Sequence, residues 1–300
     1  MSQASRPSYI TLPPSSRHAT VLDFLAEKFP HISSEVWKER MDNGKVFWRE
    51  SEGIITTTTP FQQNKTLGYY REVRQEPQIP FDEIIIEHND HFLIAHKPPF
   101  LPVMPGGAFV NECLQERLIR RTGINELQAI HRLDRDTAGL VMFSTNPETR
   151  SDYHQLFSQQ TIHKEYQAIA NAPVSVSITG KQWHIKNYLT RGKPKFRFTN
   201  SNDPSQGQSA ESLIECIEQN HQQAVFKLSP VTGRTHQLRL HMMEIGYPIL
   251  NDRFYPELQA KQEDSYQQPL QLLAKTLNFI DPISQNKLTF TSPRSLKLAK

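Results

Sequence analysis

Residues 131–144, HRLDRDTAGLVMFS, set the strongest constraint on how this chain can fold. Five of the first six side chains are ionisable, Leu133 being the exception, and the run passes without a break into GLVMF. A short apolar run of this kind is a buried strand, so the fold has to hold a charged loop against its own core. Charge runs ordinarily lie in solvent, and a carboxylate drawn inward needs a cation or several hydrogen bonds to survive there. Asp134, between Arg132 and Arg135, is the first candidate for chemistry, a nearby cation suiting it to act as a nucleophile or an electrostatic stabiliser. The alternative for this stretch alone is a solvated turn, with Arg135 and Asp136 as a local ion pair at its rim.

The 300 residues are enough for two domains. Residues 1–17 lack the apolar block of a secretory signal and read as a flexible polar arm. In ATVLDFLAEKFP, Thr20 and Asp23 have the spacing of a capping box, Leu22, Leu25 and Phe29 form a stripe, and Pro30 ends the helix. SSEVWKERMDNG predicts a second helix, entered from Ser33 or Ser34 and closed near Gly44, with Val36, Trp37 and Met41 inward and Lys38 and Arg40 on the outer face. KVFW, GIITTTT and YYREV read as strands, so residues 18–74 form a small α/β module. The polar RQEPQIPF, with two prolines, is a linker, and residues 75–300 make a larger domain.

In that larger domain EIIIE, HFLIAHK, GLVMFST, KEYQAIA and AVFKLSPV predict strands, while TNSNDPSQGQSA reads as a polar loop. FVNECLQERLIRRTG, ending at Gly123, and ETRSDYHQLFSQQ predict helices, as does THQLRLHMMEIG with Leu238, Met242 and Ile245 inward. Strands and helices do not alternate regularly, which indicates an α+β class: a mixed, mainly antiparallel sheet with flanking helices.

Several chemistries are excluded by what the chain lacks. It has no G-x-G-x-x-G after a strand, no phosphate-binding G-x-x-x-x-G-K-[ST] and no G-x-S-x-G elbow. Its cysteines, Cys113 and Cys216, read as buried free thiols, and no cysteine-histidine spacing suggests a metal site. His236 and His241 are five apart, the wrong interval for a paired helical ligand set. No run approaches the roughly 20 apolar residues of a spanning helix, so the expectation is a cytoplasmic protein without a membrane partner. A net charge of +3 permits a local nucleic-acid surface without demanding one.

Two further stretches carry candidates. GRTHQLR puts Arg234 in a Gly-led loop and His236 and Arg239 on one face of a helix start, fit either to bind phosphate or to partner a buried carboxylate. Tyr166, in KEYQAIA, faces opposite to Glu165 and Gln167 on a strand, as a structural tyrosine or as a platform for a nucleobase.

Taken in order, HKPPFLPV, HRLDRDTAGL, KEYQAI and GRTHQLRLH resemble four sequence elements of the RluA-like family of RNA pseudouridine synthases. The resemblance spans about residues 80 to 250. Phe100 stands where the first element usually has glycine, Ala138 where many members have serine, NDRFYP keeps an Asp-x-x-Tyr pattern in Asp252 and Tyr255 but ends in proline rather than glycine, and a usual L-H-A is LLA here. The N-terminal module more faintly resembles the S-four-like RNA-binding module that often precedes this domain.

The resemblance implies the pseudouridine synthase fold and an isomerase that detaches uracil from its ribose, rotates it and rejoins it through carbon 5. It implies Asp134 as the catalytic aspartate, acting covalently or by proton transfer, Arg239 as its partner, and Tyr166 stacked on the base. Arg132 would enter the RNA helix when the uridine flips out. His131, Lys164, Arg234 and His236 would support the fold or the RNA backbone, and Lys38 and Arg40 would bind RNA from the small module. No cofactor or metal is implied, the expected state is a monomer, and the expected substrate is 23S ribosomal RNA. The alternatives are a transfer RNA pseudouridine synthase, a non-catalytic RNA-binding protein of the same fold, and a hydrolase of nucleosides or sugars.

Overall fold

The computed structural model describes residues 2–50, 53–260 and 262–298. The chain divides into two compact units, Met1–Pro77 with Gly106–Asn111, and Gln78–Pro105 with Glu112–Lys300.

In the first unit, helix α1 (Val21–Lys28) opens on the expected capping box: Asp23 N donates to Thr20 Oγ1, and Thr20 N donates to Asp23 Oδ2, each at 3.1 Å. Its Val21, Phe24 and Leu25 are buried, with Leu22 and Phe29 packed at the edge. Helix α2 (Ser34–Asp42) starts from Ser33, whose hydroxyl accepts from Val36 N, and buries Trp37, Arg40 and Met41. Two expectations are corrected here. Val36 is 37% exposed, and Arg40 lies inside. Positions 37, 40 and 41 follow the i, i+3, i+4 spacing of one helix face, so Arg40 goes in with Trp37, its guanidinium 5.0 Å from that ring. Glu72 meets it there, bonding Arg40 Nε at 3.1 Å and Lys45 Nζ at 2.5 Å. Arg40 is thereby spent on the module's own core, whereas Lys38 is exposed.

The stretch expected to be a flexible arm is partly sheet. Strand β1 (Ser2–Gln3) pairs with β5 (Glu72–Val73), and β2 (Ser8–Thr11) joins β4 (Thr66–Tyr69) and β3 (Val46–Trp48) in an antiparallel sheet of order β2-β4-β3. GIITTTT is not a strand: Ile54 makes one bridge to Phe47, and only Ile55 enters the core. YYREV likewise breaks between β4 and β5.

The second unit is built on one sheet of eleven strands. They are β6 (Ile84–His88), β7 (Phe92–Lys97), β8 (Gln128–Ala129), β9 (Ala138–Ser144), β10 (His163–Asn171), β11 (Gln182–Arg191), β12 (Phe198–Ser201), β13 (Gln208–Gln219), β14 (Gln223–Pro230), β15 (Leu272–Ile280) and β16 (Lys287–Thr291). The main path runs β12-β11-β13-β14-β10-β15-β9-β7-β6, with β16 on β15 and β8 on β9. Every pairing is antiparallel except β15 with β9. Helices α3 (Leu114–Thr122), α4 (Arg150–Ser158) and α5 (Gln237–Glu244) complete an α+β fold. The expected loop over 199–210 turned out to contain β12 and the start of β13, both paired with β11. Cys113 and Cys216 are both buried.

One row of side-by-side residues organises the centre of this sheet. Lys97 on β7 pairs with Gly139 on β9, Gly139 with Ala274 on β15, Ala274 with Tyr166 on β10, and Tyr166 with Leu228 on β14. Gly139 has φ +122, and a Cβ there would lie inside the backbone of Ala274. Only glycine permits both the torsion and the approach, so the start of β9, just after the 131–137 loop, is held against β15, whose other edge pairs with Tyr166.

Candidate active site

The 131–137 loop is fastened from below. Leu133 is buried, and Thr137 N donates to Asp134 O at 3.2 Å. Lys97 is wholly buried, and its Nζ donates to the carbonyls of Pro98, Leu101 and Arg135 at 2.9, 2.7 and 2.9 Å. Three acceptors match the three donors of an ammonium. Burial pulls this group down to about 7, while the charges of Asp136 and Asp134 work in the other direction. Lys97 therefore ties the HKPPFLPV turn to the residue that follows Asp134. Phe100 in that turn has φ +65, a left-handed torsion costing a non-glycine residue about 1–2 kcal/mol. Burial between Phe81, 6.4 Å away, and Tyr266, 5.3 Å away, holds it there. The backbone torsion there suits a glycine, and packing holds a phenylalanine in it.

Asp134 itself is partly open, with 24% of its side chain exposed. Its Oδ2 faces Arg239 Nη1 at 3.6 Å and His236 Nε2 at 3.9 Å. Arg239 was expected to pair with Asp134, but its bidentate bond goes to Asp252: Nε to Oδ2 at 2.7 Å and Nη2 to Oδ1 at 2.5 Å. Asp252 also accepts from the backbone N–H groups of Phe254 and Tyr255. Burial opposes charge on Arg239, yet the bonds to Asp252 and the charges of Asp252, Asp134 and Asp136 prevail and hold it above its ordinary value. The ring of Phe254 lies 4.7 Å from the same guanidinium. Asp252 stood out in the sequence, with Tyr255, only as a kept Asp-x-x-Tyr pattern without a role, and the structure shows it to be the anchor of the site's cation.

Helix α5 is aimed by its preceding loop. His236 is the N-cap at φ +59, and its Nδ1 meets Tyr255 Oη at 2.9 Å. The amide of Gln237 satisfies four groups at once, accepting from Thr232 Oγ1 and Arg234 N and donating to Glu211 O and Ser212 Oγ. Burial lowers His236, against the opposite pull of Asp134. Tyr166 packs on the core cluster around Phe226 and Leu238. Burial, then the charge of Asp134, raises its phenol above the ordinary value, so the ring is neutral.

The structure therefore gathers Asp134, Arg239, His236 and Tyr166, and distributes the other expected residues differently. Arg132 is exposed. His131 is stacked on Phe157 at 4.4 Å with its Nε2 accepting from Met142 N, which makes it a support for β9. Lys164, half-buried, has its Nζ beside Gly233, and burial lowers it. Arg234 stays exposed and donates to Ser209 O, so it does not converge with Arg239. Sequence reading passed over RGKPKFR, the hairpin joining β11 to β12. It carries Arg191, Lys193, Lys195 and Arg197 around a half-exposed Phe196, whose ring is 5.2 Å from Phe254. Four cations interleaved with an aromatic residue were the available signal. Among the described residues no group of three or more His, Cys, Asp or Glu could hold a metal ion, and no helix is long and apolar enough to cross a membrane.

The buried histidines carry a pH consequence. Burial lowers His131 to about 3, with Lys164 adding to it, and lowers His96 and His241 each to about 4, all from 6.5. Their folded values lie below the unfolded one, so this stability is complete above pH 6.5 and is lost as pH falls through 4 toward 3. Calorimetry should show the thermal midpoint dropping across that window, less steeply in His131→Gln.

Residues 91–244 match the family model described as RNA pseudouridylate synthase. A relative in Pasteurella multocida, described as dual-specificity RNA pseudouridine synthase RluA, is 32% identical over 218 residues, 70% of this chain and 92% of that one. An uncharacterized RNA pseudouridine synthase of Synechocystis is 27% identical over 236 residues, 78% of this chain and 79% of its own. Among solved structures, human RNA Pseudouridylate Synthase Domain Containing 1 superposes with TM-score 0.58 at 20% identity, covering 73% of this chain and 86% of that one; it shares the fold.

Proposed function

We propose, since the chain belongs to the RNA pseudouridylate synthase family and is an isomerase of uridine in RNA, that Asp134 is the group that acts at the sugar of a flipped-out nucleotide. One observation carries this reading: a partly open carboxylate faces a buried, anchored arginine at 3.6 Å, and its charge acts on the neutral ring of Tyr166. In the reaction the bond from ribose C1′ to uracil N1 breaks, the ring turns, C1′ bonds to C5, the C5 proton passes to solvent, and N1 takes up one proton in its place. No atom is gained or lost, so no oxidant or energy source is needed. Tyr166 gives the uracil a flat surface while it is detached, and its hydroxyl takes part in removing the C5 proton. Arg239 holds positive charge beside Asp134 throughout, because Asp252 and not the substrate fixes its position.

Arg132, exposed two residues before Asp134, fills the gap in the RNA stack, offsetting part of the few kcal/mol of unstacking. The cationic hairpin with Phe196 docks the RNA backbone beside the cleft, and the first unit adds an S-four-like contact through Lys38. Arg40 has no part in it, being paired with Glu72. We take a monomer in the cytoplasm acting on structured RNA, with 23S ribosomal RNA first and transfer RNA second. Pseudouridine mapping of RNA from cells with and without the gene tests the substrate: loss of a 23S site supports this order, and loss confined to transfer RNA reverses it.

A further inference from the structure

Six ionisable residues close a ring through the site. Arg135, the residue after Asp134, makes a two-point bond to Asp264, Nη1 to Oδ2 at 2.8 Å and Nη2 to Oδ1 at 2.9 Å. Arg253, the residue after Asp252, bonds the same Asp264 Oδ1 at 2.8 Å. Asp252 holds Arg239, and Arg239 faces Asp134 at 3.6 Å. The circuit therefore runs Asp134, Arg135, Asp264, Arg253, Asp252, Arg239 and back to Asp134, with two steps made by peptide bonds and four by charge.

The ring matters because of its one loose edge. Among the described residues Asp134 has no side-chain partner closer than the 3.6 Å contact to Arg239, so its carboxylate is placed by its backbone and not by a tight ion pair. Lys97 grips that backbone from below at Arg135 O, and Asp264 grips it from the side at the Arg135 guanidinium. Arg135 is held to Asp136 as well, Nε to Oδ1 at 3.0 Å. Asp264 in turn lies two residues before Tyr266, whose ring is wedged edge-on against Phe81 at 5.7 Å and Phe100 at 5.3 Å. Charge supports the arrangement: despite burial, Arg135 and Arg253 hold the Asp264 carboxyl below its ordinary value.

We propose that Asp264 is a positioning residue for the isomerisation: through Arg135 and Arg253 it fixes the distance between Asp134 and Arg239. It touches neither RNA nor the reacting atoms. The proposal rests on the role of Asp134 given above.

The test is Asp264→Asn, with Asp264→Glu and Arg253→Gln beside it, in the full chain. Asp264→Asn should lower kcat roughly tenfold, within the range set by small misplacements of a reacting group, while KM for RNA and the thermal midpoint stay at the wild-type values. Asp264→Glu should recover most of the rate. Arg253→Gln combined with Asp264→Asn should be no slower than the worse single variant, since both open the same ring. Hydrogen exchange measured without RNA should rise together in peptides covering 131–138 and 250–255. Unchanged kcat, a fall matched by a lower thermal midpoint, or exchange rising only around 262–266 overturns the proposal. The exchange arm needs no turnover, so failure of the ring and failure of the isomerase assignment are told apart.

Discussion

Asp134→Asn should leave a folded protein that binds RNA and makes no pseudouridine. The substitution keeps the shape of the side chain and removes only its charge and nucleophilic oxygen. Asp134 is 24% exposed and makes no tight ion pair, so the stability change should fall within about 1 kcal/mol. The rate should fall by roughly 10,000-fold or more, the scale seen when an enzyme loses the residue that reacts. Arg239 stays in place because Asp252 anchors it, so the loss cannot be credited to a collapsed site. Binding to RNA, measured by filter retention, should be close to wild type, because the RNA-docking hairpin and Arg132 are untouched.

Arg239→Met should give the second large effect, this time on stability as well as turnover. Asp252 has 1% of its side chain exposed and would keep only the Phe254 and Tyr255 N–H groups as partners. An uncompensated buried carboxylate costs about 3–5 kcal/mol, which lowers the thermal midpoint by roughly 10 °C in a domain of this size. Adding Asp252→Asn removes the orphaned charge, so the double variant should regain much of the stability and none of the activity. That split separates the two tasks of Arg239, neutralising Asp252 and facing Asp134. Equal stability of wild type and Arg239→Met in a thermal melt would contradict the assigned ion pair.

The local part of this fold could be read from the chain. The capping box at Thr20 and Asp23 and the Gly123 helix end depend on neighbours within a few residues, and both form as expected. Asp134, Tyr166 and Arg239 came together as a set only through the resemblance of four stretches, in order, to a known family, since each stretch taken alone also allowed a structural reading. What stayed hidden were the partners that tertiary structure supplies. Arg135 meets Asp264 at a separation of 129 residues, and nothing in a single sequence marks that carboxylate. Arg40 could have been placed inward by its spacing from Trp37, but Glu72, 32 positions away, is what makes its burial tolerable. Residues 8–11 were misjudged because a short polar strand has no periodicity of its own, and β4 alone gives it a place. The strand row through Lys97, Gly139, Ala274 and Tyr166 shows the same limit. Each residue is ordinary in sequence, and the register makes them adjacent.

The most direct measurement is tritium release from RNA labelled at uridine carbon 5, using the purified protein with no added cofactor. Forming the bond from C1′ to C5 expels that hydrogen, so the account predicts one tritium released per pseudouridine made by the wild-type protein and none by Asp134→Asn. Release by both proteins would remove Asp134 from the chemistry. RNA binding without release from any cellular RNA would contradict the account as a whole and leave an RNA-binding protein that keeps the fold.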